Sequence, residues 1–275
     1  MKKIFTTIIA IVLLTIMSFF AFKAYKSAKS YEEMSQVIFQ KQNISELTTN
    51  RIKKFADTIS LGLYHGYDKV IKENKKSKDI QLYFKDRAID YTIYFMATLS
   101  LLLLLYFLTS LRDFTIISTI GGLISLTAGL FTPIMMITIH KEVEHIGDII
   151  LTMESKGVLG SIEKLFNNED FVIATALLLF SILLPLFKSI SILFVSIFIN
   201  NRSAHTIVHL FKMIGKWSMA DVFVVSTFLV YLSASRGDMS RAEIQVGIYF
   251  FLAYVIVSIL ASLSADKMLQ ENKQA

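Results

Sequence analysis

The chain has no cysteine, and only two prolines and 11 glycines among its 275 residues. Without cysteine there is no disulfide, no thiolate metal site and no thiol nucleophile. That absence does not assign a compartment, because thiol-free proteins occur on either side of a membrane. So little proline and glycine leaves few turns. Together with 54% hydrophobic residues, 18% charged residues and a mean hydropathy of +0.56, it excludes an ordinary soluble domain. Basic tracts interleaved with aromatics are also missing. The net charge of +6 sits in segments flanking apolar runs and does not point to nucleic acid.

No enzyme constellation is present, and no cofactor is expected. Gly121-Gly122 lies inside an apolar run and lacks the Lys-Ser/Thr of a phosphate-binding loop, so the chain is not expected to hydrolyse nucleotide. His205 and His209 have the spacing that points two imidazoles the same way. Neither an adjacent acid nor a cysteine completes a zinc pattern, so an amphipathic helix accounts for them without metal. His140 and His145, near Glu142 and Glu144, read as a solvated rim at the outer surface, and His65 belongs to no pattern.

What the chain does have is apolar runs of the length needed to cross a bilayer, about 20 residues. They are Ile4–Phe22, Tyr91–Leu111, Phe114–Ile139, Phe171–Ile199, Val222–Ser235 and Ile244–Ala265. The expected fold is therefore all-α, a polytopic protein with six transmembrane helices. Cleavage of the first run as a signal peptide would leave five. Lys23 stands where such a peptide needs small neutral residues, which favours a retained signal anchor.

Charge sets the orientation. Asn200–Ala220 carries Arg202, Lys212 and Lys216 without an acid, the mark of a cytoplasmic loop. Lys141–Asp170 is acidic and belongs outside. Both assignments place the N- and C-termini in the cytoplasm. Lys23–Asp90 is then external despite its lysines, since long loops cross largely regardless of charge.

Three parts follow. Residues 1–112 are an anchor helix, an extracytoplasmic insertion (about 24–89) and a second span. Residues 113–265 are a four-helix module, and residues 266–275 a short cytoplasmic tail. Arg112-Asp113 separates spans two and three as a tight hairpin. In the insertion, Tyr31–Gln42 and the stripe Ile52, Phe55, Ile59, Leu63, Tyr67 and Val70 predict two antiparallel helices continuing out of the spans, with Asn43-Ile44-Ser45 near the start of the second.

Polar residues inside the module are costly in a membrane and mark candidate function. Pro133 and Pro185 are the helix-break candidates; span three also contains Gly121, Gly122 and Gly129, with Thr132 and Pro133 near its outer end. Pro185 precedes Lys188 in span four and frees the carbonyl of Ser181. Such a carbonyl must be satisfied again, so both prolines are expected to face the protein interior or a wet cavity. Lys188 lies about 25 Å along its span at 1.5 Å per residue. Asp221 begins span five at similar depth on the next antiparallel helix. A Lys188–Asp221 pair tolerates both charges, with Ser181, Ser189, Ser191, Ser226 and Thr227 extending the network; snorkelling of Lys188 is the alternative.

The stretch Ile214-Gly215-Lys216-Trp217-Ser218-Met219-Ala220-Asp221-Val222-Phe223 closely resembles the Gly-Arg-Trp-Ser-Met-x-Asp-Val-Phe motif of the paraquat-inducible protein A family. Pro185-Leu186-Phe187-Lys188 is similar to that family's Pro-Leu-x-Lys segment, and Thr132-Pro133 is a weaker third match. The resemblance covers about residues 114–265. Many members also carry a cysteine-rich zinc ribbon and two tandem modules. This chain has no cysteine, hence no ribbon, and one clear module.

The resemblance implies an inner-membrane role in moving phospholipid across the envelope of a diderm bacterium, with a periplasm-spanning partner of the mammalian-cell-entry (MCE) type. It implies a module cavity open to the bilayer and the outside, Lys188 holding a headgroup phosphate or switching with Asp221, and Trp217 and Ser218 anchoring span five at the inner interface. A transmembrane sensor or adaptor, and a tetraspan-like accessory subunit, are the alternative classes.

Overall fold

Two long helices carry the first part of the chain. In the computed structural model, which describes residues 2–41, 66–143, 147–198 and 240–274, α1 runs over Lys2–Lys41 and α2 over Gly66–Leu104. At 1.5 Å per residue each is about 60 Å long, twice the hydrocarbon thickness of about 30 Å. Both continue well past a bilayer, as the antiparallel extension of the spans predicts. Thr6, Ala10, Met17, Ala21, Ala24, Ala28, Tyr31 and Ser35 are buried along α1, at steps of three, four and seven. Ala88, Thr92, Phe95, Leu99 and Leu102 answer them on α2. This is a coiled-coil seam, and its alanines let the two backbones approach closely, as small residues do in membrane helix pairs. The residues at 42–65, including most of the predicted stripe, lie outside the described residues.

The remaining helices are α3 (Leu111–Phe131), α4 (Val158–Asn167), α5 (Phe171–Leu178), α6 (Leu184–Ile197) and α7 (Gly247–Gln274). Among the described residues, five helical stretches are long and apolar enough to cross a membrane: α1, α2, α3, α5–α6 and α7. The span expected at Val222–Ser235 lies outside the described residues. Its flanks are informative. Ile197 sits beside Arg112, whereas Ser240 pairs with Ile139 at the opposite end of the bundle.

Large apolar side chains such as Ile4, Phe5, Leu101, Phe187, Ile190 and Leu263 are exposed along these helices. In water such a surface would be an aggregation liability, and against lipid tails it is the expected outer wall. The protein is a multi-pass helical membrane protein.

It is not all-α. The third expected span, Phe114–Ile139, ends early: α3 stops at Phe131 and Thr132 turns to φ −84°, ψ 140°. Proline disfavours helical backbone in the residue before it, so Pro133 dictates the break. Beyond it the chain forms β1 (Met135–Val143), β2 (Gly147–Lys156) and β3 (Ser240–Ile244), an antiparallel sheet in the order β2-β1-β3. Ile244, expected to open the last span, therefore belongs to a strand. That span begins at Gly247 and stays helical through Gln274, so the expected tail continues α7. The sheet and α4 cap one end of the bundle, with Val158 and Ile162 of α4 buried against Ile134, Met135 and Phe251.

The turn between α2 and α3 also differs from expectation. A short 3-10 turn at Leu105–Phe107 precedes Ser110, which caps α3 by accepting a hydrogen bond from the Asp113 amide at 3.2 Å. The Ser110 hydroxyl in turn donates to the Asp113 carboxylate at 2.8 Å. This satisfies an otherwise unpaired amide of the first helical turn. Arg112 and Asp113 are thus inside α3 and do not form the loop. Each helix packs mainly on another partner, α2 on α1 and α3 on α7.

Gly121, Gly122 and Gly129 do not break α3. A Cβ on Gly129 would lie 3.0 Å from the Phe251 amide nitrogen and one on Gly122 3.3 Å from Val257, so these two let α7 approach. Gly247 is tighter still. Its amide donates to the Pro133 carbonyl at 2.9 Å, and a Cβ there would lie 2.5 Å from the carbonyl oxygens of both Thr132 and Pro133. Gly247→Ala is expected to destabilise the protein by about 1–3 kcal/mol through overpacking against rigid backbone. Thermal unfolding in detergent checks this; an unchanged midpoint would show that the 132–133 backbone yields without cost.

Candidate functional site

Pro185 lacks an N–H, so an α-helix continued through it leaves the Ser181 carbonyl without its usual donor. The helix responds locally. Between α5 and α6 it widens into a single π turn over Leu179–Leu183 and resumes α geometry at Leu184. Pro185 then stands in the first turn of α6, where a missing donor costs least. π turns of this kind are rare and recur at functional sites.

The interruption is supported from α7. The Tyr254 hydroxyl donates to the Pro185 carbonyl at 3.0 Å, and the Ser189 hydroxyl lies 3.4 Å from the Tyr254 oxygen. Tyr254 is among the most deeply buried large side chains, at 1% exposure. Its role was not legible in the sequence, where a tyrosine in an apolar span reads as bulk. Its position on the helix facing the proline was the available signal.

Lys188 is 4% exposed. It belongs to the α6 face formed by Pro185, Ser189, Ile192, Val195 and Ser196, all buried, while Phe187, Ile190 and Phe194 face outward. Its side chain is engaged in a polar or electrostatic interaction. Lys188 is thus an interior cation about 25 Å from the start of the span at Phe171 and about 13 Å from its end at Ile197. Burial of this kind is expensive and requires a compensating group.

Other predicted residues are placed as follows. Ser181 is buried within the π turn, and Pro133 and Pro185 both face the interior as expected. Thr132 is fully buried at the C-cap of α3, near the sheet rather than near Lys188. Its hydroxyl has no hydrogen-bond partner among the described residues. Trp217, Ser218, Asp221, Ser226 and Thr227 lie outside the described residues, as do His65, His145, His205 and His209. His140 lies in β1, in register with Ile150.

Along α7, Tyr254, Ser258 and Ser262 follow at four-residue steps. The hydroxyls of Ser258 and Ser262 are buried without hydrogen-bond partners among the described residues. A polar seam therefore runs down α7 from the Pro185 contact. Further along α7, Thr115 of α3 donates to Ser264 at 2.9 Å.

At the lower end of α6, Arg112 donates from Nε and Nη2 to the carbonyls of Ser196 and Ile197, both at 2.8 Å. Carbonyls at a helix C-terminus lack intrahelical donors, so this clamp fixes the end of α6 against the start of α3.

Among the described residues, two apolar grooves mark the surface. One, of about 380 Å³, lies between α2 and the β3–α7 junction. The other, of about 610 Å³, lies between α1 and α3. Neither is lined by Lys188.

Removing the Tyr254 hydroxyl with Tyr254→Phe should cost about 1 kcal/mol, the net worth of one hydrogen bond. A lowered unfolding midpoint with retained helix content is the expected result. Unchanged stability would show that the Pro185 carbonyl does not need this donor.

The family model of paraquat-inducible protein A matches residues 113–270. The match takes in α3, the sheet, α4–α6 and nearly all of α7, and leaves α1 and α2 outside. No curated protein and no solved structure matches the chain.

Proposed function

The chain belongs to the paraquat-inducible protein A family, and from that footing we propose that it is a non-enzymatic subunit of an envelope phospholipid-transport system. It passes lipid between the bilayer and a periplasm-spanning MCE-type partner. The observation that carries this reading is a cation, Lys188, buried at 4% exposure next to a π turn and a proline inside the family-matched module. A structural bundle has no use for such a charge, since apolar packing of the same volume is at least as stable. A module that handles an anionic headgroup does.

In this reading Asp221, at matching depth on the next span, balances Lys188 while no headgroup is present. Ser181, Ser189 and Tyr254 supply the adjoining hydroxyls, and Ser226 extends them. The interrupted helix at Leu179–Pro185 is the element that can change its pitch. Trp217 and Ser218 anchor the start of the fifth span at the inner interface, where tryptophan is favoured. The α1–α2 pair, long enough to project from the bilayer, docks the partner.

The location is the bacterial inner membrane with both termini cytoplasmic. Supporting this, Lys3 of α1 and Asp113 of α3 stand 3.7 Å apart at one end of the bundle. The acidic segment Lys141–Asp170 supplies β2, the end of β1 and α4 at the other end.

A strain lacking the protein should show an envelope-lipid defect that the wild-type chain repairs and the Lys188→Ala chain does not. Full repair by Lys188→Ala would remove this lysine from the mechanism. Purification from native membranes should bring an MCE-domain protein with bound phospholipid. Recovery of a kinase or receptor array instead would establish the sensor reading, and a complex without lipid the accessory-subunit reading.

A further inference from the structure

The groove between α2 and the β3–α7 junction is amphipathic along its length. At its polar end stand Tyr31, Lys85 and Gln245; its walls are Ile89, Ile93, Met96 and Tyr249. The polar end is organised around Glu243 of β3. One carboxylate oxygen of Glu243 accepts from the Tyr31 hydroxyl at 2.9 Å, and the other pairs with the Lys85 ammonium. An ammonium has three protons, so Lys85 keeps donors beyond the one given to Glu243.

Gln245 is the exception in this cluster. Its residue is 6% exposed, and its side-chain amide nitrogen is buried with no hydrogen-bond partner among the described residues. An orphaned buried donor of this kind costs about 1–3 kcal/mol. Among the described residues no acceptor completes this nitrogen's hydrogen bonding, which leaves the site open to one from a bound molecule.

Position decides what that acceptor is attached to. Lys85 lies six residues before the apolar run that opens at Tyr91, about 9 Å along the helix and hence at headgroup level. Met96, eleven residues beyond Lys85, is about 16 Å deeper, within the hydrocarbon. The rim residues Ile93, Ile244 and Tyr249 are each half exposed or more, so the groove opens sideways toward the bilayer.

We propose that this groove is a lipid-binding site that seats one acyl chain of a bilayer glycerophospholipid, with an ester or phosphate oxygen accepting from the Gln245 amide and Lys85. It lies between α2, outside the family-matched residues, and the β3–α7 junction, inside them, and is separate from Lys188. It holds whether or not the module transports lipid.

The test uses the full-length chain in nanodiscs of phosphatidylethanolamine and phosphatidylglycerol, doped with a phospholipid carrying a photoreactive diazirine in its acyl chain. Crosslinked residues are mapped by mass spectrometry. The expected result is labelling at Ile93, Met96 and Tyr249 that saturates with probe, against non-saturating labelling of outer-wall residues such as Ile11 and Phe107. Two variants that retain wild-type helix content and monodispersity are compared: Gln245→Leu, which deletes the donor, and Ile89→Trp, which narrows the groove. Loss of most groove labelling in either folded variant, with outer-wall labelling unchanged, supports the site. Groove labelling that never saturates, or that both variants leave intact, shows annular lipid only and overturns it. Because Lys188 is untouched, either outcome is independent of the complementation result.

Discussion

The contact on which the rest of the molecule depends is the close approach of α3 and α7. A side chain on Gly129 would press on the Phe251 backbone, and one on Gly247 would collide with two carbonyls. Membrane helices gain nothing from hydrophobic exclusion of one another, so association rests on dispersion and on backbones that can come near. With α7 held at this distance, Tyr254 reaches the Pro185 carbonyl and β3 is delivered to the edge of β1. The interior face of α6, with Lys188 on it, is set against the same pack. The Arg112 clamp closes the far end of that helix.

The N-terminal pair is built by a different rule, its alanine seam, and within the bundle it shares a hydrophobic cluster with α3 and α7, where the Phe95 and Phe250 rings stand 4.7 Å apart. Beyond that cluster the pair extends about 30 Å past the hydrocarbon. Its polar link to the sheet runs through Glu243, gripped by Tyr31 from α1 and Lys85 from α2. An ion pair this exposed contributes little on its own. Its consequence is positional, since it fixes the direction in which the projecting helices leave the family-matched module.

Much of this was legible in the residues. Apolar run length located the five described spans, although the third ends eight residues before the expected Ile139. A lysine in an apolar stretch beside a proline pointed inward, and Lys188 is buried. The misses share a cause. Hydropathy is blind to backbone geometry, so the run through Met135–Ile139 read as helix although Pro133 had already excluded helical backbone at Thr132. The packing role of the glycines of α3 was not legible because sequence alone cannot show what approaches them. Tyr254 and Gln245 went unnoticed because a polar tip on a large side chain acquires meaning only from the neighbour it faces.

The proposed function turns on the buried lysine of α6 meeting Asp221. A chain without cysteine is well suited to a direct trial. Lys188→Cys and Asp221→Cys are introduced together, and the protein is treated in native membranes with a short bifunctional maleimide. The account predicts an intramolecular bridge between positions 188 and 221, seen as one peptide pair by mass spectrometry and absent from either single variant. Both cysteines reacting separately with a lipid-soluble maleimide, with no bridge between them, would contradict it.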